Sequence, residues 1–531
     1  SAIKQCWRGV LGIDEVPDDA DFFALGGHSM RATQLANALR TRFGVEMPLR
    51  TLFESPTLGA MAQAVARLVP DGALQAIPPC PRDAPLALSF AQQRLWFLDQ
   101  LLPGSSQYNI PAAVRLAGRL DGASLENALD AIVRRHEALR TCFSKVQGQP
   151  VQVISPALRL TVPVDDLSAL PPGERQSVLD SRLLDEAHAP FDLARGPLLR
   201  ARLFRLDALE HVLALTMHHI VSDGWSMGVL VREFASLYSA FSQGLPSPLP
   251  ALAIQYADFA HWQRQWLRGP VLDAQLDFWR TALADAPTLL ALPTDRPRPA
   301  TLGSSGATLA FSLPRELSDS LSALAQQHNA TLFMLLVAAL QTLLARYSGQ
   351  DDICVGTPIA NRHRAEVEPL VGCFVNTLVL RARFAPGLSF AGLLDQVRST
   401  ALAAYAHQDL PFETLVDALN PERQLSHTPL FQVMFVLQNM PLGALDLPGL
   451  TAQPLSSPET SAKFDLTLEM TETPLGIAAS FNYSTDLFDH ATVERMASHL
   501  HRLLQAVGAH PGTPLARIDM LGPAERSLLL E

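Results

Sequence analysis

The sequence predicts a small all-α unit followed by a much larger α/β unit, and three observations carry that reading. Residues 1–69 place their apolar side chains at helical spacing only. A proline-studded stretch then interrupts the periodicity. From about residue 86, helical segments alternate with short apolar runs of strand character, as in folds that layer helices over sheets.

In the first unit, Ile3, Trp7, Val10 and Leu11 share one helical face. Ala32, Leu35, Ala36, Leu39 and Phe43 share another, and Leu58, Met61, Ala62, Val65 and Leu68 a third. An acidic loop, Asp18-Asp19-Ala20-Asp21, leads to Gly26-Gly27-His28-Ser29. Pro70, Pro78, Pro79, Pro81 and Pro85 mark a semi-extended linker, because proline fixes φ and lacks a donor. Beyond it, helices are expected near residues 88–102, 124–136, 230–241 and 331–347. Strands are expected near 110–120, 151–154, 211–217, 353–357, 374–383 and 430–437. The strand order does not follow from the pattern.

The 531 residues are 48% hydrophobic and 18% charged, enough to bury large cores. A net charge of −11, from 41 basic and 52 acidic side chains, and the lack of a basic run disfavour nucleic acid and anionic membranes as partners. Five cysteines, an odd number with no C-x-x-C pair, fit a reduced cytoplasmic protein better than a disulfide or zinc framework. The densest apolar run, residues 332–340, soon meets Gln341 and Thr342 and reads as a buried helix rather than a membrane span. The chain opens without Met or a signal-peptide pattern, and its ends read as cut from something larger.

Two motifs carry chemistry. Ser29 opens a helix, so one reading makes it an ordinary N-cap. The other makes its hydroxyl the anchor of a phosphodiester-linked arm. A helix N-terminus offers free N–H groups and the positive end of a dipole to the phosphate, and Gly26 and Gly27 permit the turn. Farther on, Met217-His218-His219-Ile220-Val221-Ser222-Asp223-Gly224-Trp225-Ser226 follows a buried strand. Adjacent strand residues point to opposite faces, so the two histidines make a poor metal pair; zinc favours histidines one helical turn apart. His219 is either a satisfied core histidine or a group delivered into an interior space, with His218 turned away to buttress the loop. Asp223 either orients the imidazole or pairs with a distant arginine. Gly224 allows a tight turn before the helix.

The stretch Asp21-Phe22-Phe23-Ala24-Leu25-Gly26-Gly27-His28-Ser29, with Leu52-Phe53-Glu54-Ser55-Pro56-Thr57 after it, closely resembles peptidyl carrier (thiolation) domains over residues 1–69. The H-H-x-x-x-D-G segment resembles the active-site motif of condensation domains and their chloramphenicol-acetyltransferase-like relatives. Six further segments agree in family order. These are Ser89-Phe90-Ala91-Gln92-Gln93-Arg94-Leu95-Trp96, Arg135-His136-Glu137-Ala138-Leu139-Arg140-Thr141, Tyr256-Ala257-Asp258-Phe259, Val371-Gly372-Cys373-Phe374-Val375-Asn376-Thr377, His407-Gln408-Asp409-Leu410-Pro411-Phe412 and His427-Thr428-Pro429-Leu430-Phe431. Trp96, Phe259, Phe374 and Phe412 read as core.

The resemblance implies a fragment of a nonribosomal peptide synthetase. Its parts would be a four-helix carrier (1–69), a linker (70–85), condensation lobes at 86–255 and 256–525, and the start of a linker to an adenylation domain (526–531). It implies 4′-phosphopantetheine on Ser29, attached by a phosphopantetheinyl transferase. The carrier's thioester would be the donor, an aminoacyl group on a downstream carrier the acceptor, and His219 the group between them. His218, Asp223 and Gly224 complete the catalytic set. Arg362 is the candidate salt-bridge partner of Asp223, and Arg135 and Arg140 are supports. Adenylation domains upstream and downstream are the other implied partners, for a fragment expected to be monomeric. Direct fusion of carrier to condensation domain points to an L-configured donor. An epimerising variant and a silent docking scaffold are the competing readings.

Overall fold

The computed structural model describes residues 2–68, 76–419, 424–438, 445, 447–455 and 461–530. At the N-terminal end lie helices α1 (Ala2–Leu11), α2 (Ser29–Phe43), α3 (Leu49–Glu54) and α4 (Leu58–Arg67). The three expected apolar faces converge here: Trp7, Phe22, Leu35, Leu39, Leu52 and Met61 are all buried. Pro56 separates α3 from α4, and Thr57 caps α4 by accepting the Ala60 N–H. Gly26 has a φ of +89°, which suits glycine in the turn before α2. A Cβ on Gly27 would lie 2.4 Å from the Phe22 ring, so close packing excludes a side chain there.

Among the described residues the strands form three sheets. β1 (Leu86–Ala87), β4 (Gln149–Ile154) and β3 (Thr141–Val146) make a small antiparallel one. A five-stranded sheet has the order β12 (Leu450–Leu455), β2 (Asn109–Gly118), β7 (Glu210–His218), β6 (Leu199–Arg205), β5 (Val164–Asp166). A six-stranded sheet has the order β10 (Asn376–Arg383), β9 (Asp352–Ile359), β11 (Val433–Gln438), β13 (Leu466–Thr473), β14 (Gly476–Ser484), β8 (Gly306–Pro314). Both larger sheets are mixed: β5 with β6, β9 with β11 and β11 with β13 are parallel, and the other pairs antiparallel.

The helices that position the site begin with α5 (Phe90–Leu101) and α6 (Gly122–Arg135). Ser89 and Gln92 form a reciprocal capping box at the start of α5, and Asp121 caps α6. α7 (Pro172–His188), α8 (Gly224–Phe241) and α9 (Tyr256–Trp266) follow. The helix Leu332–Ser348 is buried along most of its length, as its composition requires. Among the described residues no single helix is long and apolar enough to cross a membrane.

Two features of the organisation cross the limits expected from the sequence. The lobe boundary at 255/256 does not follow the sheets. β12, drawn from residues 450–455, pairs with β2 in the five-stranded sheet, with Leu455 opposite Ala113. Helix α9 also faces backwards: the Tyr256 hydroxyl lies 2.7 Å from Ser89 Oγ. The linker, too, is only partly free. Residues 69–75 lie outside the described residues, but Ile77 and Cys80 are buried, and the Cys80 N–H donates to Asp258 Oδ1 at 2.8 Å.

Candidate active site

β7 ends at His218, the chain makes one 3₁₀ turn through His219–Val221, and α8 starts at Gly224. That sequence of elements delivers His219 to the edge of a cavity of about 2020 Å³. Its lining comes from both large sheets: Asn109–Ala113 of β2 on one side, and Met434, Thr467 and Glu469 of β11 and β13 on the other. The volume exceeds the roughly 300–1,000 Å³ of an ordinary small-molecule site.

His219 is held by its backbone, whose N–H donates to the Tyr108 carbonyl at 2.8 Å. Its Nδ1 lies 3.7 Å from Cys373 Sγ, leaving Nε2 as the ring nitrogen turned away from that thiol. Burial, then the nearby Lys463 ammonium, pulls the imidazole pKa down to about 4. His219 is therefore neutral at pH 7. His218 is buried, and its Nδ1 accepts the Ile220 N–H at 3.2 Å while its ring meets Phe191 edge-on. Burial, then neighbouring His219, brings its pKa down to about 3. Burial also drives the Cys373 thiol well above its ordinary pKa, so it stays protonated beside His219.

Asp223 spends its carboxylate on the scaffold. It caps α8, with Oδ1 accepting the Ser226 N–H at 2.8 Å, and its Oδ2 accepts the Phe374 N–H at 2.9 Å. Arg362 Nη2 donates to Asp223 Oδ1 at 3.1 Å and to Ser226 Oγ at 3.0 Å. Arg362 Nη1 donates to the Val367 and Leu370 carbonyls at 2.7 and 2.6 Å. One carboxylate thus ties the start of α8 to the strand-leading segment 371–374, and one guanidinium ties both to the loop before it.

Gly224 differs from its expected role. Its φ is ordinary, and a Cβ there would meet nothing within 4 Å, so no tight turn demands glycine; the residue lines the cavity as the first of α8. Arg135 and Arg140 lie outside the cavity lining. Arg135 pairs with Glu233 at 2.8 Å, and Glu233 also meets His136 Nε2 at 2.9 Å. His136 Nδ1 in turn accepts the Val371 N–H, so this network supports segment 371–374 from behind. Arg140 donates to the Ser155 carbonyl. Trp96 is half-buried and lines the cavity, with Lys145 over its ring, so it is not simply core. Phe259, Phe374 and Phe412 are buried and line the cavity as well.

Sequence reasoning missed three features of the site. An Arg94–Glu413 ion pair, 2.8 Å between Nε and Oε1, joins α5 to the helix Phe412–Leu419 across the cavity lining. Lys463 lines the cavity 5.1 Å from the centre of the Tyr108 ring. The Tyr256 hydroxyl donates to the Cys373 carbonyl and so fixes the residue that backs His219. Arg94 is the one charged residue of segment Ser89–Trp96, and that was the available signal for it.

Ser29 is the first residue of α2. His28 precedes it as N-cap without a side-chain cap bond, and His28 Nδ1 is buried without a partner. Burial, then Arg31, lowers the His28 pKa to about 4, so that ring is neutral. An uncapped helix start of this kind suits a phosphodiester on the serine.

Comparison with known proteins agrees with both ends of the chain. A family profile described as "Condensation domain" matches residues 84–530, and one described as "Phosphopantetheine attachment site" matches residues 1–65. One of the linear gramicidin synthase proteins of Brevibacillus parabrevis is 48% identical over 99% of this chain, which spans 7% of that protein. Malpinin synthetase of Mortierella alpina is 45% identical over 100% of the chain, again 7% of its own length. Among solved structures, the X-domain from teicoplanin biosynthesis is 31% identical with a TM-score of 0.76, covering 84% of this chain and 100% of that one. The first condensation domain of the calcium-dependent antibiotic synthetase shares the fold, with a TM-score of 0.68 at 23% identity, covering 83% of this chain and 100% of that one. The helices at the N-terminal end, the mixed sheets, the histidine-lined cavity and these matches together place the chain in the condensation-domain family of nonribosomal peptide synthetases, joined to a carrier segment that bears a phosphopantetheine attachment site.

Proposed function

We propose that this chain forms an amide between a donor acyl group carried on Ser29 and the amine of an acceptor held by a downstream carrier. The observation that carries the proposal is His219, neutral and facing a cavity large enough for two arms and their cargo. Phosphopantetheine on Ser29 would supply the thiol that holds the donor as a thioester.

In the reaction the acceptor nitrogen bonds to the donor carbonyl carbon, the C–S bond breaks, and the proton lost by nitrogen leaves with the thiol. His219 is a weak base at a pKa of about 4. A free α-amino group has a pKa of roughly 7.7–8.0, so a substantial fraction is already deprotonated near neutrality. His219 therefore acts chiefly by position: its outward ring nitrogen holds the amine against the thioester carbonyl. Bringing both reactants into one cavity is worth roughly 7–11 kcal/mol in well-oriented cases. His218, Asp223 and Arg362 hold the loop; Gly224 shapes the cavity wall; Arg135 and Arg140 brace it from outside.

The domain limits proposed are 1–69 for a four-helix carrier, 70–85 for the linker and 86–525 for the two condensation lobes, with β12 exchanged between them. Adenylation domains on either side, an acceptor carrier and a phosphopantetheinyl transferase are the partners, in the cytoplasm, and the donor is L-configured. A solved complex of the teicoplanin X-domain with OxyB, 30% identical to this chain with a TM-score of 0.76, favours a second reading, a docking scaffold. The test is to load Ser29 with an acyl-pantetheine arm and offer an aminoacyl carrier. Amide product supports the enzyme, and its absence with full loading supports the scaffold.

A further inference from the structure

Asn37, in the middle of α2, is buried and turns both its reach and its polarity toward the active-site loop. Its Nδ2 donates to Glu368 Oε1 at 2.5 Å and to the Arg362 carbonyl at 3.3 Å. Both acceptors belong to segment 361–372. Glu368 is also tied inward, since its carbonyl accepts the Trp225 indole N–H at 2.9 Å in the first turn of α8. Arg362 is tied inward more firmly, through Asp223 and Ser226.

The segment has little regular structure of its own. It holds one 3₁₀ turn, Ala365–Val367, and Asn361 at a φ of +52°. It is held inside by the Arg362 guanidinium and by Val367 and Leu370 packed with Tyr256 and Phe374, at its flank by the His363–Asp409 pair, and on the carrier side by Asn37. Removing Asn37 leaves Glu368 Oε1 and the Arg362 carbonyl without that donor, a loss felt where water is largely excluded. The rest of the carrier lies consistently. α3 packs on the helix Phe390–Ala406, and Arg31 lies close enough to Glu472, at the end of β13, to favour its carboxylate against burial. The Ser29 end of α2 therefore lies toward the end of β13, whose pairing with Gln438 of β11 brings cavity-lining residues nearby.

We propose that segment 361–372 is a carrier-reading surface: α2 seats on its outer face through Asn37, and its inner face passes that seating to Asp223 through Arg362, so that the His219 motif is fully ordered only with the carrier in place. This rests on the proposed function for its purpose, but its test does not require turnover.

The test is hydrogen exchange on the full chain, wild type against Asn37→Ala. Amides that report the clamp are those of Ser226, Gly372 and Phe374, each bonded to Asp223 or Ser226. The expected result is exchange at least about fivefold faster in peptides spanning 222–228 and 370–376, with strands β13 and β14 unchanged. Glu368→Ala, made from the other side of the contact, should reproduce it, and Glu368→Gln, which keeps an acceptor, should not. Faster exchange confined to α2, with 222–228 and 370–376 at wild-type rates in both alanine variants, would overturn the proposal. A wild-type chain that forms no amide would sink the proposed function and leave this exchange pattern to be read on its own.

Discussion

Arg362 Nη2 lies 3.1 Å from Asp223 Oδ1, and both side chains are almost wholly excluded from solvent. The pair joins residues 139 apart and holds three pieces of backbone at once: the cap of α8, the segment before β10, and the loop 362–370.

Breaking that pair from one side should be costly. Arg362→Ala leaves a buried carboxylate without its cation, and such a loss typically costs about 3–5 kcal/mol. Lysine should not restore it, because a single ammonium cannot reach Asp223, Ser226 and two carbonyls in the geometry of the fork. Thermal unfolding is the measurement. A large fall in midpoint is expected for both Arg362→Ala and Arg362→Lys, the first at least as large as the second.

The two histidines give the pH dependence a definite sign. Folded pKa values of about 3 for His218 and about 4 for His219 lie below the ordinary 6.5, so the folded state binds fewer protons than the unfolded one in between. Their contribution is complete above pH 6.5 and is lost as pH falls toward 4. The loss is at most on the order of 1 kcal/mol per pH unit for each ring. Urea unfolding at pH 7 and pH 5 should show lower stability at pH 5, and His218→Gln should reduce that difference.

Cys373 tests the chemistry rather than the scaffold. Its sulfur is 3.7 Å from His219, the spacing of a thiol and a base, yet burial keeps the thiol protonated. Cys373→Ala should retain amide formation within about tenfold of wild type. A loss on the scale of 10³-fold or more, with unchanged folding, would indicate a covalent route through sulfur instead.

Two glycines of the site should behave oppositely. A Cβ on Gly372 would fall 2.0 Å from the Tyr256 ring, which anchors Ser89 and the Cys373 carbonyl. Gly372→Ala should therefore destabilise by about 1–3 kcal/mol, the usual cost of overpacking. Gly224→Ala meets open space and should unfold within a degree or two of wild type.

Local features are legible in the sequence because local physics makes them. Apolar spacing locates α2, α6 and β7 to within a few residues and the end of α8 but not its start, and the family resemblance points to Arg362 as the partner of Asp223. What the sequence withholds is long-range. β12 pairs with β2 across more than three hundred residues, so no local pattern gives the strand order. Arg94 and Glu413 sit on helices far apart in the chain, and either alone reads as a solvated charge. Asn37 carries no signal at all until α2 is laid on segment 361–372. Gly224 reads as a turn residue from its type, whereas the backbone there is ordinary.

The most direct measurement compares wild type with His219→Ala in one experiment. Ser29 is loaded with a donor, an aminoacyl carrier is added, and both the loaded chain and the amide are followed by mass over time. Equal loading of the two proteins is expected, with amide formation slower by at least about 10²-fold in the variant. Equal loading with amide formed at the wild-type rate would show that the reaction proceeds without the imidazole.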